Sequence, residues 1–343
     1  MDRHHECSYA GKGLRRLSDK LISLARQVMT SYNIVPVSIR LIESGGMKTV
    51  WKVETSKGPF CLKRLRSGLE KVHFSIQAQQ FLMEKKANVP AIIKTKGGTP
   101  YVSKNGHIFV LYDWVIGKKP HFSQGRDLKK AIEGLAVFHK KSLGFRPKTA
   151  CRESSKWSRW PSQYHSMLER FKSWKTSRRS PRLVHILQQH IDTVIGQGEK
   201  ATQLLLKSNY PQWTGTKARK GLCHQDFSEN NVLFTRDGAV VLDLDSVTYD
   251  VPARDLRKMI LKEMVKEGKW DSALFKNIIS WYTAVHPLTT EQLRVVYIDC
   301  LFPHLFHETA KKPFHKNEFL PASKLKLAIK IEKSKTNALL KLI

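Results

Sequence analysis

The sequence predicts an α+β chain in two parts, a small antiparallel β-sheet lobe followed by a mainly helical lobe. Short segments that alternate apolar and polar residues are concentrated between residues 34 and 116, which is typical of strands. Apolar residues at intervals of three and four dominate beyond residue 117, which is typical of amphipathic helices. We therefore divide the chain into an N-terminal helical segment at 1–33, a sheet lobe at 34–116 and a helical lobe at 117–343.

Periodicity and turn residues predict the elements of the first part. Apolar residues recur at three and four between residues 14 and 28, which predicts a helix. Three strands follow in VSIRLIE, TVWKVET and PFCLKRL, separated by the turns SGGMK and SKG. A helix is predicted near EKVHFSIQAQQFLMEKK. YVSKNGHIFVLYDWV predicts a hairpin, because the pair at 105–106 is Asn-Gly, which suits a type I′ turn.

The second part begins after IGKKPHFSQG, which lacks periodicity and predicts a linker. Helical spacing then runs through DLKKAIEGLAVFHKKS and several later segments. The tail SKLKLAIKIEKSKTNALLKLI predicts a basic helix, either a solvated face over a packed stripe or a membrane-binding helix. The tryptophan-rich segment KWSRWPSQYHSMLERF predicts either part of an acceptor-binding wall or a packed helix hairpin.

The charge balance indicates anionic neighbours. The chain has 343 residues with 60 Lys plus Arg against 29 Asp plus Glu, a net charge of +31, so phosphorylated ligands, anionic polymers or acidic proteins are expected. No nucleic-acid-binding motif accompanies the charge, and we predict no specific nucleic-acid partner. No apolar run reaches the roughly 18 residues of a membrane span. We expect neither a membrane span nor a signal peptide, and the five cysteines form no CxxC pair, which favours free thiols in a reducing compartment.

The stretch CHQDFSENNVLFTRDGAVVLDLD places acidic and amide side chains beside two apolar runs. Carboxylates next to buried strands are costly without a compensating partner. The Asp-Gly pair at 237–238 predicts a two-residue hairpin turn, which puts Val232 opposite Asp243 and brings Asn231 to within about one residue of Asp243. Because Mg²⁺ prefers a few hard oxygen ligands beside substrate phosphates, we predict that Asn231 and Asp243 bind it.

Asp226 lies five residues before Asn231, on the loop that leads into this hairpin. An aspartate there would accept a proton from an attacking hydroxyl. An aspartate base, four spacers, a metal-binding asparagine and a later aspartate on the next strand form the layout of kinase chemistry. The alternative interpretation is a surface hairpin with polar ends.

The predicted sheet supplies groups that suit phosphates. Gly45 and Gly46 lie between two strands, where backbone without a side chain can approach phosphates. Lys63 lies on the same strand face as Cys61 and Leu65, and a lysine on an apolar face needs an anion, which nucleotide phosphates would supply. The alternatives are a plain hairpin turn and an edge lysine that snorkels to solvent.

With these motifs the chain resembles the aminoglycoside phosphotransferase and choline kinase branch of the protein-kinase-like fold. The motif H-x-D-x-x-x-x-N of that branch is matched by His224, Asp226 and Asn231, and the later I-D-x-D/E motif by Asp243 and Asp245. From about residue 37 onward the chain is further similar to the CotS family of endospore coat proteins. The segments that carry this similarity are LKRL, FSIQAQ, YDWVIGK, KWSRWPSQYHSML, CHQDFSENNVL, LDLDSVTYDVPARDLRKMI, PLTTEQ and LFPHLF.

The resemblance implies a bilobal protein-kinase-like fold and a nucleotide-binding first lobe in a protein of a spore-forming bacterium. It implies ATP and Mg²⁺ as cofactors, synthesis in the mother-cell cytoplasm, deposition in the spore coat and other coat proteins as partners. The nucleotide contacts that it implies come from three places: the loop Ser44, Gly45, Gly46 and Lys48; Lys63; and the hinge residues Tyr112, Asp113 and Trp114.

One departure from the family concerns the partner of Lys63. In many relatives a glutamate on the helix after the third strand pairs with this lysine. The corresponding places here hold Ser75 or Gln77, and Glu70 lies near the helix start. The sequence therefore leaves the partner of Lys63 unassigned.

Two functions remain open from the sequence. The first is an ATP-dependent phosphotransferase in which Asp226 orients or deprotonates a hydroxyl acceptor, which is an unidentified small molecule, glycan or protein. The second is a structural coat-assembly protein with a dormant site, whose +31 surface binds acidic partners. Arg254 and Asp255 are expected to brace the catalytic loop in either case.

Overall fold

The computed structural model describes residues 6–45, 48–65, 68–178, 181–216 and 220–343. Gly46, one of the residues predicted to bind nucleotide, lies outside the described residues. The chain separates into two compact units. The sheet unit comprises the described residues up to 118 together with 147–153 and 233–245, and the helical unit comprises 119–146, the described residues of 154–232, and 246–343.

The sheet unit begins with helix α1 and is built on antiparallel strands. Its elements are α1 (Glu6–Met29), β1 (Pro36–Gly45), β2 (Lys48–Thr55), β3 (Gly58–Leu65), α2 (Leu69–Glu84), β4 (Ile92–Ile93), β5 (Val102–Lys104) and β6 (His107–Asp113). The strand order is β1-β2-β3-β6-β4, with β5 paired to β6. The three predicted strands, both helices and the Asn-Gly hairpin are confirmed, and Asn105 and Gly106 have φ of 52° and 71°.

The core of this unit lies between α1 and one face of the sheet. Trp51 and Val53 of β2 are fully buried and pack in one cluster with Leu62, Phe109 and residues of α1. This matches the alternation of TVWKVET, in which Lys52 and Glu54 point to the other face. Strand β3 lies between β2 and β6, so a residue at its middle is shielded by neighbours on both sides.

The hairpin predicted in the acidic stretch consists of β8 (Val232–Thr235) and β9 (Gly238–Val241). Its turn residues are Arg236 and Asp237, one residue earlier than predicted, because the Thr235 hydroxyl accepts from the Asp237 N–H at 3.2 Å and donates to the Gly238 carbonyl at 3.2 Å. The predicted register is therefore wrong. Strand β9 ends at Val241, so Asp243 lies beyond the ladder and not opposite Val232.

The helical unit holds the remaining elements. They are α3 (Gly125–Ser142), α4 (Trp160–Lys175), α5 (Pro181–Gln188), α6 (Ile191–Lys207), α7 (Tyr210–Gly215), β7 (Leu222–Cys223), β10 (Thr248–Tyr249), α8 (Ala253–Lys266), α9 (Ser272–Val285), α10 (Thr290–Leu301), α11 (His304–Phe314) and α12 (Ala322–Leu340). Strands β7 and β10 pair antiparallel, and the loop that carries Asp226 follows β7.

The basic tail is a packed helix with a solvated face. Leu325, Ile329 and Leu339 of α12 are buried, and Lys335 is buried in an ion pair with Glu332 at 2.5 Å. Glu332 also accepts the N–H groups of Leu305 and Phe306 at the start of α11. Across the described part of the chain, no helix combines the length and apolar character that a membrane span requires.

Candidate active site

In the sheet unit, Lys63 is buried on the central strand β3, with only 6% of its surface exposed. Its ammonium Nζ lies 2.7 Å from Asp243 Oδ1 and 2.6 Å from Asp245 Oδ2. The interpretation of an edge lysine that snorkels to solvent is therefore wrong for Lys63. The anion that the apolar face required is a pair of carboxylates from the segment after β9.

The electrostatics of this group favour charge on both sides. Burial opposes the charged form of Lys63, but Asp245 and Asp243 outweigh it and raise the pKa of the lysine. Burial likewise opposes the charged form of Asp243, yet Lys63 and Lys48 hold the pKa of that carboxyl well below its usual range. The pKa of Asp245 is raised by burial and by the neighbouring charge of Asp243. Asp243 is thus the firmly ionised member.

Backbone geometry brings both carboxylates to one ammonium. Asp243 has a φ of 60°, in the left-handed region that non-glycine residues seldom adopt. A single 3₁₀ turn follows at Leu244–Ser246 and carries Asp245. Lys48, at the start of β2, completes the group because its Nζ lies 2.9 Å from Asp243 Oδ2.

The other residues predicted to bind nucleotide lie at the ends of the same strands. Ser44 is paired with Thr49 and Gly45 with Lys48, at the ends of β1 and β2. Tyr112 lies at the end of β6 and is buried, with its pKa raised by burial and then by the charge of Asp245. The register places them at opposite ends of the sheet, because Lys48 lies opposite Leu65 at the end of β3, whereas Tyr112 lies opposite Cys61 near its start. Their role in nucleotide binding stays a prediction.

Two of the hinge residues have structural partners. The Asp113 carboxylate accepts the Ala91 N–H at 2.6 Å. The Trp114 ring lies under the Lys52 ammonium, 5.0 Å from Nζ to the ring centroid. Both contacts fix the direction in which the chain leaves β6.

In the helical unit, Asp226 and Asn231 are in direct contact. Asn231 Nδ2 donates to the Asp226 carbonyl at 2.8 Å and to Asp226 Oδ2 at 3.2 Å. Asn231 ends the 3₁₀ turn Glu229–Asn231 and is buried, whereas Asp226 is exposed. The amide therefore orients the carboxylate of an exposed residue, and its other oxygen has no hydrogen-bond partner among the described residues.

Asp255 of α8 braces the loop, as predicted. Its carboxylate accepts the N–H groups of His224 at 2.6 Å and Gln225 at 3.0 Å, and it lies 3.1 Å from His139 Nε2. Burial opposes the charge of Asp255, but His139 and the backbone donors lower its pKa to about 2. Arg254 instead pairs with Asp250 at 3.2 Å.

Two features of these groups were not predicted from the sequence. Asp245 was matched to the family motif, but its role as a partner of Lys63 was not predicted. Lys258, one turn after Arg254 on α8, donates from its ammonium to the Gln225 carbonyl. A signal for it exists in the sequence, because residues 254, 258, 262 and 266 are all basic at the spacing that places them on one helix face.

The predicted aromatic acceptor wall is not available as a surface. Trp157, Trp160, Tyr164, Phe171 and Trp174 are all buried. Trp160 Nε1 donates to Asp250 at 2.8 Å and Tyr164 Oη donates to Asp299 at 2.5 Å. These rings are core groups with satisfied polar atoms, so the packed-helix interpretation is the correct one.

Asn231 and Asp243, each within its own unit, carry oxygen atoms of the kind that a hard divalent cation binds. The side-chain hydrogen bonds of Asn231 use only its Nδ2 donors, which leaves its amide oxygen as a ligand. Asp243 is a firmly ionised carboxylate, although both of its oxygens are engaged by Lys63 and Lys48. Amide and carboxylate oxygens are the ligands that Mg²⁺ takes beside phosphates. The two residues belong to different units.

The antiparallel N-terminal sheet and helical C-terminal region define an α+β, protein-kinase-like fold. A crystal structure of an aminoglycoside phosphotransferase from Alicyclobacillus acidocaldarius has a TM-score of 0.74 at 18% identity, over 92% of this chain and 94% of that chain. A spectinomycin phosphotransferase crystallised with ADP and spectinomycin has a TM-score of 0.58 at 14% identity, over 90% of this chain and 97% of that one.

A family model described as "Spore coat putative kinase YutH" matches residues 45–338. Spore coat protein S of Bacillus subtilis is 31% identical over 291 residues, which is 84% of this chain and 82% of that protein. The chain belongs to this family of kinase-like spore coat proteins.

Proposed function

We propose that the protein is a spore coat-associated, ATP-dependent phosphotransferase that acts on a hydroxyl acceptor. The observation that carries the proposal is the orientation of Asp226. Its carboxylate is held by Asn231 on one oxygen and is exposed on the loop. A base must be reachable by its substrate, and this carboxylate is both exposed and held in one orientation by an amide.

In the proposed reaction, Asp226 accepts the proton of the acceptor hydroxyl as that oxygen bonds to the γ-phosphorus of ATP. The bond between the γ-phosphorus and the oxygen that bridges it to the β-phosphorus breaks, ADP leaves with that oxygen, and the proton passes from Asp226 to solvent. Lys63 and Lys48 supply positive charge for the phosphates. Asn231 and Asp243 would hold Mg²⁺, which neutralises phosphate charge when bound.

Three observations support nucleotide as the donor. The chain shares its fold with phosphotransferases, one of which was crystallised with ADP. Lys63 and Lys48 both reach Asp243 from neighbouring strands, so they form a compact cationic pair. The strand ends that carry Ser44, Gly45 and Tyr112 lie in the same sheet as this pair.

The testing experiment measures transfer of labelled γ-phosphate from ATP to a coat-protein extract and to panels of small hydroxyl compounds. Wild type is compared with Asp226→Asn. A base of this kind is worth about 10²–10⁴ in rate, so the variant should lose that factor and still bind nucleotide. Absence of labelling by wild type, in all acceptor pools, would sink the proposal.

A second candidate is a coat-assembly protein with a dormant site. The observation that favours it is the occupation of both Asp243 oxygens by lysine ammonium groups. If these ion pairs persist in the presence of Mg²⁺ and ATP, the carboxylate is not free to bind metal. Spores that carry Asp226→Asn at normal protein level decide between the two. Unchanged coat composition, coat phosphorylation and germination would favour the dormant site.

Localisation follows from the family. We propose synthesis in the mother-cell cytoplasm and deposition in the spore coat, since the relative at 31% identity is a spore coat protein. Other coat proteins are the proposed partners. The large positive charge of the chain suits acidic members of that assembly.

A further inference from the structure

A row of four basic residues runs along helix α8 beside the catalytic loop. We name it the basic row; its members are Arg254, Lys258, Lys262 and Lys266. Residues four apart lie on the same helix face, and like charges at that spacing repel one another. A helix that carries four such residues in sequence needs anions along the same face.

The two ends of the basic row have carboxylate partners within the protein. Arg254 Nη1 lies 3.2 Å from Asp250 Oδ2. Lys266 Nζ lies 3.0 Å from Glu229 Oε1 and 3.0 Å from Glu263 Oε1. The outer charges of the row are therefore compensated.

The two middle members lack a carboxylate at ion-pair distance among the described residues. Lys258 and Lys262 are exposed residues overall. Lys258 is attracted at longer range by Asp255 and Asp226, and Lys262 by Glu229 and Glu263. The Lys258 ammonium donates to the carbonyl of Gln225, which precedes Asp226. Burial of this amine against the loop, together with the nearby Arg254 and Arg257, lowers the pKa of Lys258 even though Asp255 and Asp226 oppose the shift.

Gln225 adds an unsatisfied donor at the same place. Its backbone has a φ of 73° and is held by α8, since Asp255 accepts its N–H and Lys258 donates to its carbonyl. Its side-chain Nε2 is buried without a hydrogen-bond partner among the described residues. Such a donor is costly unless a ligand or water accepts from it. The surroundings of Asp226 therefore offer positive charge and a free donor together.

The spacing of the two middle lysines bears on the size of the anion. Lys258 and Lys262 are four residues apart, about 6 Å along the helix, which equals about two residues of extended polypeptide. A small hydroxy acid would reach one of the middle lysines. An extended acidic segment with its hydroxyl at Asp226 would reach both.

We propose that the acceptor hydroxyl is a serine or threonine of an acidic polypeptide segment that lies along the basic row. This inference rests on the proposed phosphotransferase function and names the class of its acceptor. It differs from the aminoglycoside class named for the solved relative, because amino sugars are cations and would be repelled by Lys258 and Lys262.

The test uses the full chain and two labelled peptides, a serine flanked by three glutamates on each side and the same serine flanked by glutamines. Binding is followed by fluorescence anisotropy at 0.15 M salt, and transfer is followed from MgATP. Lys262→Glu is the test variant because no side-chain contact of Lys262 to the loop exists among the described residues. Lys276→Glu, an exposed lysine on α9, is the matched control, and Lys262→Arg is the rescue.

We expect the glutamate peptide to bind and to accept phosphate, with about tenfold loss of affinity in Lys262→Glu and little change in the control or the rescue. Equal use of both peptides would overturn the inference. An equal loss of affinity in Lys276→Glu would also overturn it, because it would indicate general charge attraction. Phosphorylation of glycerate, tested as a small hydroxy acid, with phosphorylation of neither peptide would overturn it as well. If the glutamate peptide binds in a way that depends on Lys262 but wild type transfers no phosphate to it, docking of the acidic segment is retained and the phosphotransferase function is overturned instead.

Discussion

The carboxylate of Asp245 lies 2.6 Å from the ammonium of Lys63. Asp245 is thus an ion-pair partner of Lys63, a role that a glutamate on the helix after the third strand has in many relatives. Ser75 of that helix donates to its own backbone at Val72, and Gln77 bonds to Thr149. Lys63 is thus held by the acidic segment that carries both Asp243 and Asp245. This one short segment therefore controls the position of the Lys63 ammonium.

Replacement of Lys63 by methionine is expected to lower the free energy of unfolding by about 1–3 kcal/mol, because Asp243 and Asp245 then share their burial with one cation fewer. The measurement is urea unfolding at neutral pH. Lys57→Met is the control in the turn between β2 and β3, since Lys57 is exposed and has no side-chain ion pair among the described residues. Equal midpoints for the two variants would contradict the assignment of Lys63 as a buried ion-pair partner.

Removal of the Asp243 carboxylate should abolish any dependence of ATP affinity on Mg²⁺. The reason is that Asp243 supplies a firmly ionised oxygen, whereas Lys48 and Lys63 act on phosphates without metal. Isothermal titration of ATP with and without Mg²⁺ compares wild type, Asp243→Ala and Asp237→Ala. Asp237 is an exposed aspartate in the turn of the same hairpin and serves as the control. If wild type shows no metal dependence, the metal assignment fails.

Asp255→Asn is expected to disorder the catalytic loop and to destabilise the fold by about 1–3 kcal/mol. His224 donates to Oδ2 of Asp255 and Gln225 donates to Oδ1, so the NH₂ group of an asparagine would face one of these two N–H donors. Hydrogen exchange of these two amides should rise while that of β10 stays unchanged. Protection equal to wild type would show that another group holds the loop.

Stability should fall as pH drops from about 6.5, the ordinary histidine value. Burial and Arg257 lower the pKa of His304 to about 3, so the folded chain keeps this ring neutral while the unfolded chain takes up a proton. The unfolded state binds more protons over that window and stability is lost with falling pH. The loss from this residue is on the order of 3 kcal/mol by pH 4.

Urea unfolding at a series of pH values measures this effect. His304→Gln keeps a donor for Asp299, which accepts from His304 at 2.9 Å, and removes the titration. Its stability should depend less steeply on pH than that of wild type. His315→Gln, an exposed histidine in the same unit, should leave the slope as it is. A variant slope equal to that of wild type would exclude His304 as the source.

Much of the site was predictable because local patterns encode it. Alternation in TVWKVET and PFCLKRL located β2 and β3, and the apolar neighbours of Lys63 indicated a buried cation. The spacing of Asp226 and Asn231 matched the kinase motif, and the structure adds a direct contact between their side chains. Each of these inferences needed only residues that are close in sequence.

The failures came from longer range or from competing turn signals. The Asp-Gly pair at 237–238 suggested the wrong turn. The Thr235 hydroxyl bonds to Asp237 and Gly238 and so makes residues 236 and 237 the turn, as the Thr55 hydroxyl does at the turn before Gly58. The shared pattern T-x-x-G would have given the correct turn. The partner of Lys63 could not be predicted from the sequence, because Asp245 is far along the chain and reaches Lys63 only through tertiary packing.

The pair between Lys63 and Asp243 joins residues 180 positions apart, and this sets an order for folding during synthesis. At about 5–20 residues per second, Asp243 is made roughly 10–40 s after Lys63. Through that interval the nascent strands lack their acidic partner, and β3 carries an unpaired ammonium in its middle. The ribosome-bound N-terminal half should therefore remain open and protease-sensitive, and closure of the first unit should wait until most of the chain has emerged.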